Sequence, residues 1–165
     1  MPHSPITFNH FLNLTMKFAS TIITLAALFS AAIAIPPTSS STVEPVRPNN
    51  FFDNGNESLN NVACSNGPNG LVTKGFTTFN TLPTFPNIGS GFTIHNWGSP
   101  ECGSCWELTN PTTGATIFVT AIDSISSGFG LSDAAVGTLI GGTVPASFSE
   151  VNVEATEVAP HFCGL

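Results

Sequence analysis

The chain is short of charge. Only 8% of its residues are charged, and three lysines and arginines face ten acidic residues for a net charge of −7. An average soluble domain carries about 25% charged residues, so Asn, Thr, Ser and Gly must supply the hydrophilic cover here. Such a surface suits a neutral partner, and its negative sign repels phosphate backbones and anionic lipid. Neither nucleic acid nor a membrane surface is expected as a partner. Tyrosine is absent beside 14 phenylalanines, so composition does not separate exposed rings from core rings. Internal repeats are lacking too. A length of 165 residues and an apolar fraction of 41% allow one domain with one ordinary core.

Long apolar runs are missing except for Phe18 to Ile33, which follows Lys17 and precedes the small-residue sequence Ala32-Ile33-Ala34. That order predicts a secretory signal peptide over residues 1–34, cleaved after Ala34. A membrane span is the alternative, but the run falls under about 20 residues, holds Ser20, Thr21 and Thr24, and has no basic stop-transfer flank. Met16-Lys17 is a more usual start, which leaves the preceding residues as a long basic-region extension or a mis-called first codon. Ile35 to Asn50 is rich in Pro, Ser and Thr without apolar period and reads as a disordered linker, so the domain is expected to span 51–165.

Cysteines are few: Cys64, Cys102, Cys105 and Cys163. In a secreted chain an even count reads as a disulfide framework, and four cysteines allow three pairings. Cys102-Gly103-Ser104-Cys105 has redox spacing, but no βαβ pattern surrounds it. A zinc site would bring a second close pair, whereas Cys64 and Cys163 each stand alone. No metal and no cofactor are expected. Asn56-Glu57-Ser58 is a sequon that makes Asn56 a candidate glycan site.

What the chain does have, from Phe51 onward, is short strand-like segments punctuated by clusters of Gly, Pro and Asn, the pattern of an all-β barrel. Ala115 to Ile122 is a nearly continuous β-branched apolar run, as in a strand buried on both faces. Val151, Val153 and Ala155 alternate with Asn152, Glu154 and Thr156, which predicts a strand with one wet face. One helix is predicted after Ser132. This serine is placed to cap it, Asp133 favours its N-terminal dipole, Leu131 and Val136 can form a staple, Val136, Leu139 and Ile140 make the apolar stripe, and Gly141-Gly142 ends it.

Val62-Ala63-Cys64-Ser65-Asn66-Gly67, then Phe85-Pro86-Asn87-Ile88-Gly89, then Trp97-Gly98-Ser99-Pro100-Glu101-Cys102-Gly103-Ser104-Cys105-Trp106 resemble the fungal cerato-platanin family. Ala121-Ile122-Asp123-Ser124, Gly128-Phe129 and Cys163-Gly164-Leu165 continue the likeness in order. The resemblance implies a mainly β fold, a six-stranded double-psi β-barrel with one or two short helices, related to barwin and expansin barrels. It also implies disulfides joining Cys64 to Cys102 and Cys105 to Cys163. A secreted, non-catalytic monomer of the fungal wall is the implied role. Its expected activities are binding of chitin-type N-acetylglucosamine oligomers, loosening of cellulose, and elicitation of plant defence through a host receptor.

The carbohydrate-binding set expected on this basis is Asp123, Ser124, Trp97 and Asn96. A sugar offers hydroxyls around a weakly apolar ring, so its site needs fixed acceptors beside an aromatic plane. Asp123 stands where a buried strand meets a Ser/Gly loop; the alternative is an Asx role on loop N–H groups, Ser124 to Gly128. Trp97 and Trp106 can stack on sugar or serve as core. Hydrolysis needs a second carboxylate, and none is evident: Asp133 heads the helix, Asp53 is expected in a first strand, and Glu101 and Glu107 flank the cysteines. His95 and His161 have no nucleophile to activate. The family's Gly-Phe-Asn is Gly128-Phe129-Gly130 here, and Ile125 replaces a small residue; the lost amide is expected to cost about 1 kcal/mol, about fivefold in affinity. An expansin-like or lytic enzyme, and a surface-active elicitor with little sugar affinity, are the rival functions.

Overall fold

The computed structural model of the protein describes residues 40–165, so the expected signal peptide lies outside the described residues. Six strands close into a barrel: β1 (Thr42–Pro48), β2 (Ile88–Gly91), β3 (Cys105–Thr109), β4 (Thr116–Ser124), β5 (Phe129–Leu131) and β6 (Val151–Val158). Around the barrel the order is β1-β5-β2-β4-β3-β6. β1 runs parallel to β5 and β2 parallel to β4, while the other neighbours are antiparallel. The predicted half-wet strand is β6, where Val153 and Ala155 are fully buried and Asn152 and Glu154 are exposed. β4 is buried on both faces over Val119 to Ile122. Loops cause the second burial: Cys64 N–H donates to Ile122 O at 3.1 Å and Gly103 N–H to Ala121 O at 3.0 Å, so irregular chain covers the strand.

The N-terminal boundary differs from the sequence reading. Residues expected to form the end of a disordered linker instead make β1, which pairs with β5 from Val46 to Pro48 and with β6 from Thr42 to Val46. Pro45 and Pro48 lack N–H groups and normally weaken strands. Here β1 is held from both sides, and Val46 is fully buried in the core. Gly128, at φ +64°, admits the Pro45 carbonyl oxygen so closely that a Cβ there would collide with it. Asp53, expected in a strand, lies in a 3-10 turn spanning Asn50–Asp53.

The predicted helix is α1 (Asp133–Ile140), capped by Ser132 Oγ, which accepts from Ala135 N–H at 3.0 Å, and ended by left-handed Gly141. Asp53 completes the cap, its two carboxylate oxygens accepting from Asp133 N–H at 2.9 Å and Ala134 N–H at 3.1 Å. This favourable charge at the helix start accounts for both oxygens of Asp53. The cysteines pair Cys64 with Cys102 and Cys105 with Cys163, the pairs implied by the resemblance, and no free thiol is present among the described residues. Cys102, just before β3, is thus tied to the irregular chain before β2, and Cys105, the first residue of β3, to the C-terminal turn Pro160–Cys163.

Closure by β1 generates a prediction. A chain beginning at Asn49 should melt at least about 6 °C below one beginning at Ser40, since opening the barrel exposes Val46 and its neighbours, at about 3–5 °C per kcal/mol for a domain between the small and large size classes. Equal melting temperatures in scanning calorimetry would show that β1 is dispensable.

Candidate functional site

Asp123 is the next-to-last residue of β4, beside a break in strand register. Gly89 pairs with Ala121 but Ser90 pairs with Asp123, so Ile122 is an extra residue that bulges from the ladder. Its carbonyl is the one that accepts from Cys64 N–H. Bulges re-aim the side chains that follow them, and here the re-aimed carboxylate meets the incoming loop. Asp123 Oδ1 accepts from Ala63 N–H and from Ser124 N–H, each at 2.9 Å. Among the described residues Oδ2 has no partner. The expected Asx role is therefore present at Ser124, joined by a long-range bond to Ala63 that sequence reasoning missed.

Ala63 links Asp123 to Trp97. Its carbonyl accepts from Gly98 N–H at 3.3 Å, fixing the loop that carries Asn96 and Trp97. Trp97 is 59% exposed, yet its indole Nε1–H donates to Ser65 Oγ at 3.1 Å and Asn66 Oδ1 at 3.2 Å. Gly67 lies against the ring, since a Cβ there would stand 3.3 Å from two indole carbons. One ring surface is thus supported and the side chain is held in place. Asn96 is exposed, with its carbonyl accepting from Ser99 N–H at 3.2 Å. Ser124 is exposed as well. Trp106, the other tryptophan, is 5% exposed and packs with Phe92 and Phe129 as core.

Ser65 and Asn66 lie in a segment that carries the family resemblance but outside the expected sugar-binding set. The signal available was their position directly after Cys64, in a turn anchored by a disulfide. In the aromatic-rich stretch from Phe76 to Phe92, which composition left undecided, Phe79 is buried and Phe76, Phe85 and Phe92 pack on the core. Among the described residues the exposed phenylalanines are Phe51 and Phe162.

The family model for cerato-platanin matches residues 45–165. The chain belongs to the cerato-platanin family. It is 35% identical to the heat-stable 19 kDa antigen of Coccidioides immitis over 91% of this chain and 99% of that protein. The crystal structure of cerato-platanin 2 from M. perniciosa has 36% identity and a TM-score of 0.70, covering 75% of this chain and all of the other. The solution structure of the fungal elicitor Cerato-Platanin has 34% identity and a TM-score of 0.62, covering 72% of this chain and 95% of the other.

Within this cerato-platanin, Gly130, Ser90 and Asp123 form one row across β5, β2 and β4. A Cβ at position 130 would lie 2.6 Å from Ser90 Oγ and 3.5 Å from Ile125 Cδ1. Ser90 is buried, and its hydroxyl donates to Gly130 O at 3.3 Å. The space beside position 130 is thus taken by Ser90 and Ile125. No glutamate accompanies Asp123 in its hydrogen bonds; Glu101 instead faces Glu157, whose carboxyl titrates above the usual range through partial burial and then the Glu101 charge.

Gly130→Asn alone should destabilise the protein by about 1–3 kcal/mol through overpacking. Adding Ser90→Gly should recover at least about 1 kcal/mol of that loss as a coupling between contacting residues. Additive effects in denaturant unfolding would mean that the two positions do not compete for space.

Proposed function

We propose that the protein is a secreted, non-catalytic binder of fungal-wall polysaccharide, taking chitin-type N-acetylglucosamine oligomers on the surface formed by Trp97, Asn96, Asp123 and Ser124. The observation that carries this reading is the state of Trp97: a large aromatic side chain left in water but fastened by two hydrogen bonds. Fixed exposed rings bind the apolar faces of sugars with little loss of side-chain freedom. Asp123 Oδ2 supplies a charged acceptor for a sugar hydroxyl, worth about 1.5–3 kcal/mol where it is used. Because Oδ1 is committed to Ala63 and Ser124, the carboxylate is pre-oriented, which lowers the cost of binding.

Hydrolysis calls for two carboxylates about 5–9.5 Å apart across the scissile bond. Asp123 hydrogen-bonds to backbone N–H groups, and Asp53 caps α1. The surface is suited to holding a polymer, and loosening of cellulose would follow from such holding without bond cleavage. The two disulfides favour an oxidising, extracellular setting. Recognition by a plant host receptor is the second reading, supported by likeness to a protein described as a fungal elicitor.

NMR titration with N-acetylglucosamine oligomers tests the proposal. Shift changes should centre on Trp97, Asp123 and Ser124. Asp123→Asn keeps an oxygen acceptor for Ala63 but removes the charge, and should weaken binding at least about tenfold with the barrel intact; Trp97→Ala should do the same. No new reducing ends should appear. Undiminished binding in both variants, or steady release of reducing sugar, would refute it.

A further inference from the structure

One motif of the sequence takes no part in the barrel, the disulfides or the surface around Trp97. It is the sequon Asn56-Glu57-Ser58. Among the described residues one other asparagine stands two positions before a serine or threonine, in Asn110-Pro111-Thr112. The two triplets lie in opposite environments. Asn110 is buried; its Nδ2 donates to Leu139 O at 3.0 Å and its Oδ1 accepts from Thr112 N–H at 2.9 Å. Both ends of that amide are used inside the fold, and the intervening proline excludes it as a glycan acceptor. Asn56 is exposed, and its side-chain amide makes no hydrogen bond among the described residues.

The surrounding backbone explains why this side chain is left outside. Gly55 O accepts from Asn80 N–H and Glu57 O from Phe79 N–H, and Leu59 N–H donates to Thr77 O, each at 3.0 Å. Residues 55–59 are thus laced to residues 77–80, with Asn56 between two anchored carbonyls. Its N–H closes an Asx turn on Asn54 Oδ1 at 3.3 Å. The neighbouring side chains are occupied locally. Glu57 accepts from Asn54 Nδ2 and Asn61 Nδ2, and Ser58 Oγ caps the 3-10 turn Leu59–Asn61 by accepting from Asn60 N–H at 3.2 Å. Asn56 is therefore held in place by its main chain while its amide bonds to nothing. A substituent on its Nδ2 displaces no bond of the fold.

We propose that Asn56 carries an N-linked oligosaccharide in the secreted protein. The donor class is a lipid pyrophosphate-linked oligosaccharide of the secretory pathway whose reducing-end sugar is N-acetylglucosamine. Asn56 Nδ2 forms a bond to C1 of that sugar as the bond from C1 to the pyrophosphate oxygen breaks. The pyrophosphate leaves with the electron pair, the amide gives up one proton, and nothing is oxidised or reduced. In the folded chain the Ser58 hydroxyl is engaged by Asn60 N–H, so transfer belongs to the nascent chain, and the fold leaves the product in solvent. The oligosaccharide would add neutral hydrophilic cover on a side of the molecule that needs it. Phe79, whose N–H holds Glu57, packs edge-on against the exposed ring of Phe51. The assignment rests on entry into the secretory pathway, which the two disulfides favour, and is independent of sugar binding at Trp97.

Expression of the full chain in a filamentous fungus, with peptide mapping of the secreted protein before and after peptide N-glycosidase treatment, tests the assignment. The peptide containing Asn56 should carry an oligosaccharide mass that the enzyme removes, leaving aspartate at position 56. Asn56→Gln should be secreted without that mass. Ser58→Ala should lose it as well, whereas Ser58→Thr, which keeps both the sequon and the capping hydroxyl, should retain it. Secreted protein whose Asn56 peptide is wholly unmodified would overturn the assignment. So would retention of the modification in Ser58→Ala, or a chain that stays in the cytoplasm and never meets the donor.

Discussion

The backbone of Ala63 is held from both sides: its N–H by the Asp123 carboxylate and its carbonyl by Gly98 N–H. Next along the chain, Cys64 is bonded to Cys102 and donates its N–H to the bulged Ile122. This short segment joins the irregular chain before β2 to the end of β4 and to the Trp97 loop. Without it, the two sides of the candidate surface would be connected only through long loops, whose relative placement costs conformational entropy. Asp123 therefore has two uses at once, one oxygen organising the surface and the other open to a partner. The Ile122 bulge makes this division possible, because it frees a carbonyl for Cys64 and turns Asp123 toward Ala63.

Charge contributes to this fold by placement more than by amount. The salt bridge between Arg47 and Glu150, at 2.8 Å, is solvent-exposed, and such pairs are worth about 0–1 kcal/mol. The informative carboxylates are those bonded to backbone N–H groups. Asp53 stabilises the start of α1 by accepting from its first N–H groups, and Asp123 anchors the partly buried Ala63. Glu157 has no such role. It is exposed near the end of β6, in register with Trp106 and in the electrostatic company of Glu101.

Where periodicity and capping chemistry are strong, the fold is legible from the residues. Ser132 and Gly141 bound α1, and the alternation from Val151 to Ala155 marks β6. β1 is hidden because its two prolines and charged residues, next to a Ser/Thr-rich stretch, resemble unfolded chain; its pairing with β5 and β6 comes from contacts more than 80 residues away, beyond any local pattern. Asp123 was readable as a strand-end acceptor, whereas its bond to Ala63 was not, since a 60-residue separation leaves no trace in spacing. Trp97 and Trp106 occupy similar sequence surroundings but opposite environments. The difference arises from Ser65 and Asn66 receiving one indole N–H at the surface, while Ser104 Oγ accepts the other at 3.0 Å.

A surface fastened in this way should meet a sugar with little rearrangement, and proximity between individual atoms decides whether it does. Intermolecular NOEs between isotope-labelled protein and unlabelled N-acetylglucosamine oligomer give that proximity directly. The account predicts contacts from sugar-ring protons to the Trp97 indole and to the Ser124 amide, with the Ala63 amide remaining hydrogen-bonded in the complex. Contacts confined to other faces of the barrel, with none to Trp97, would contradict it.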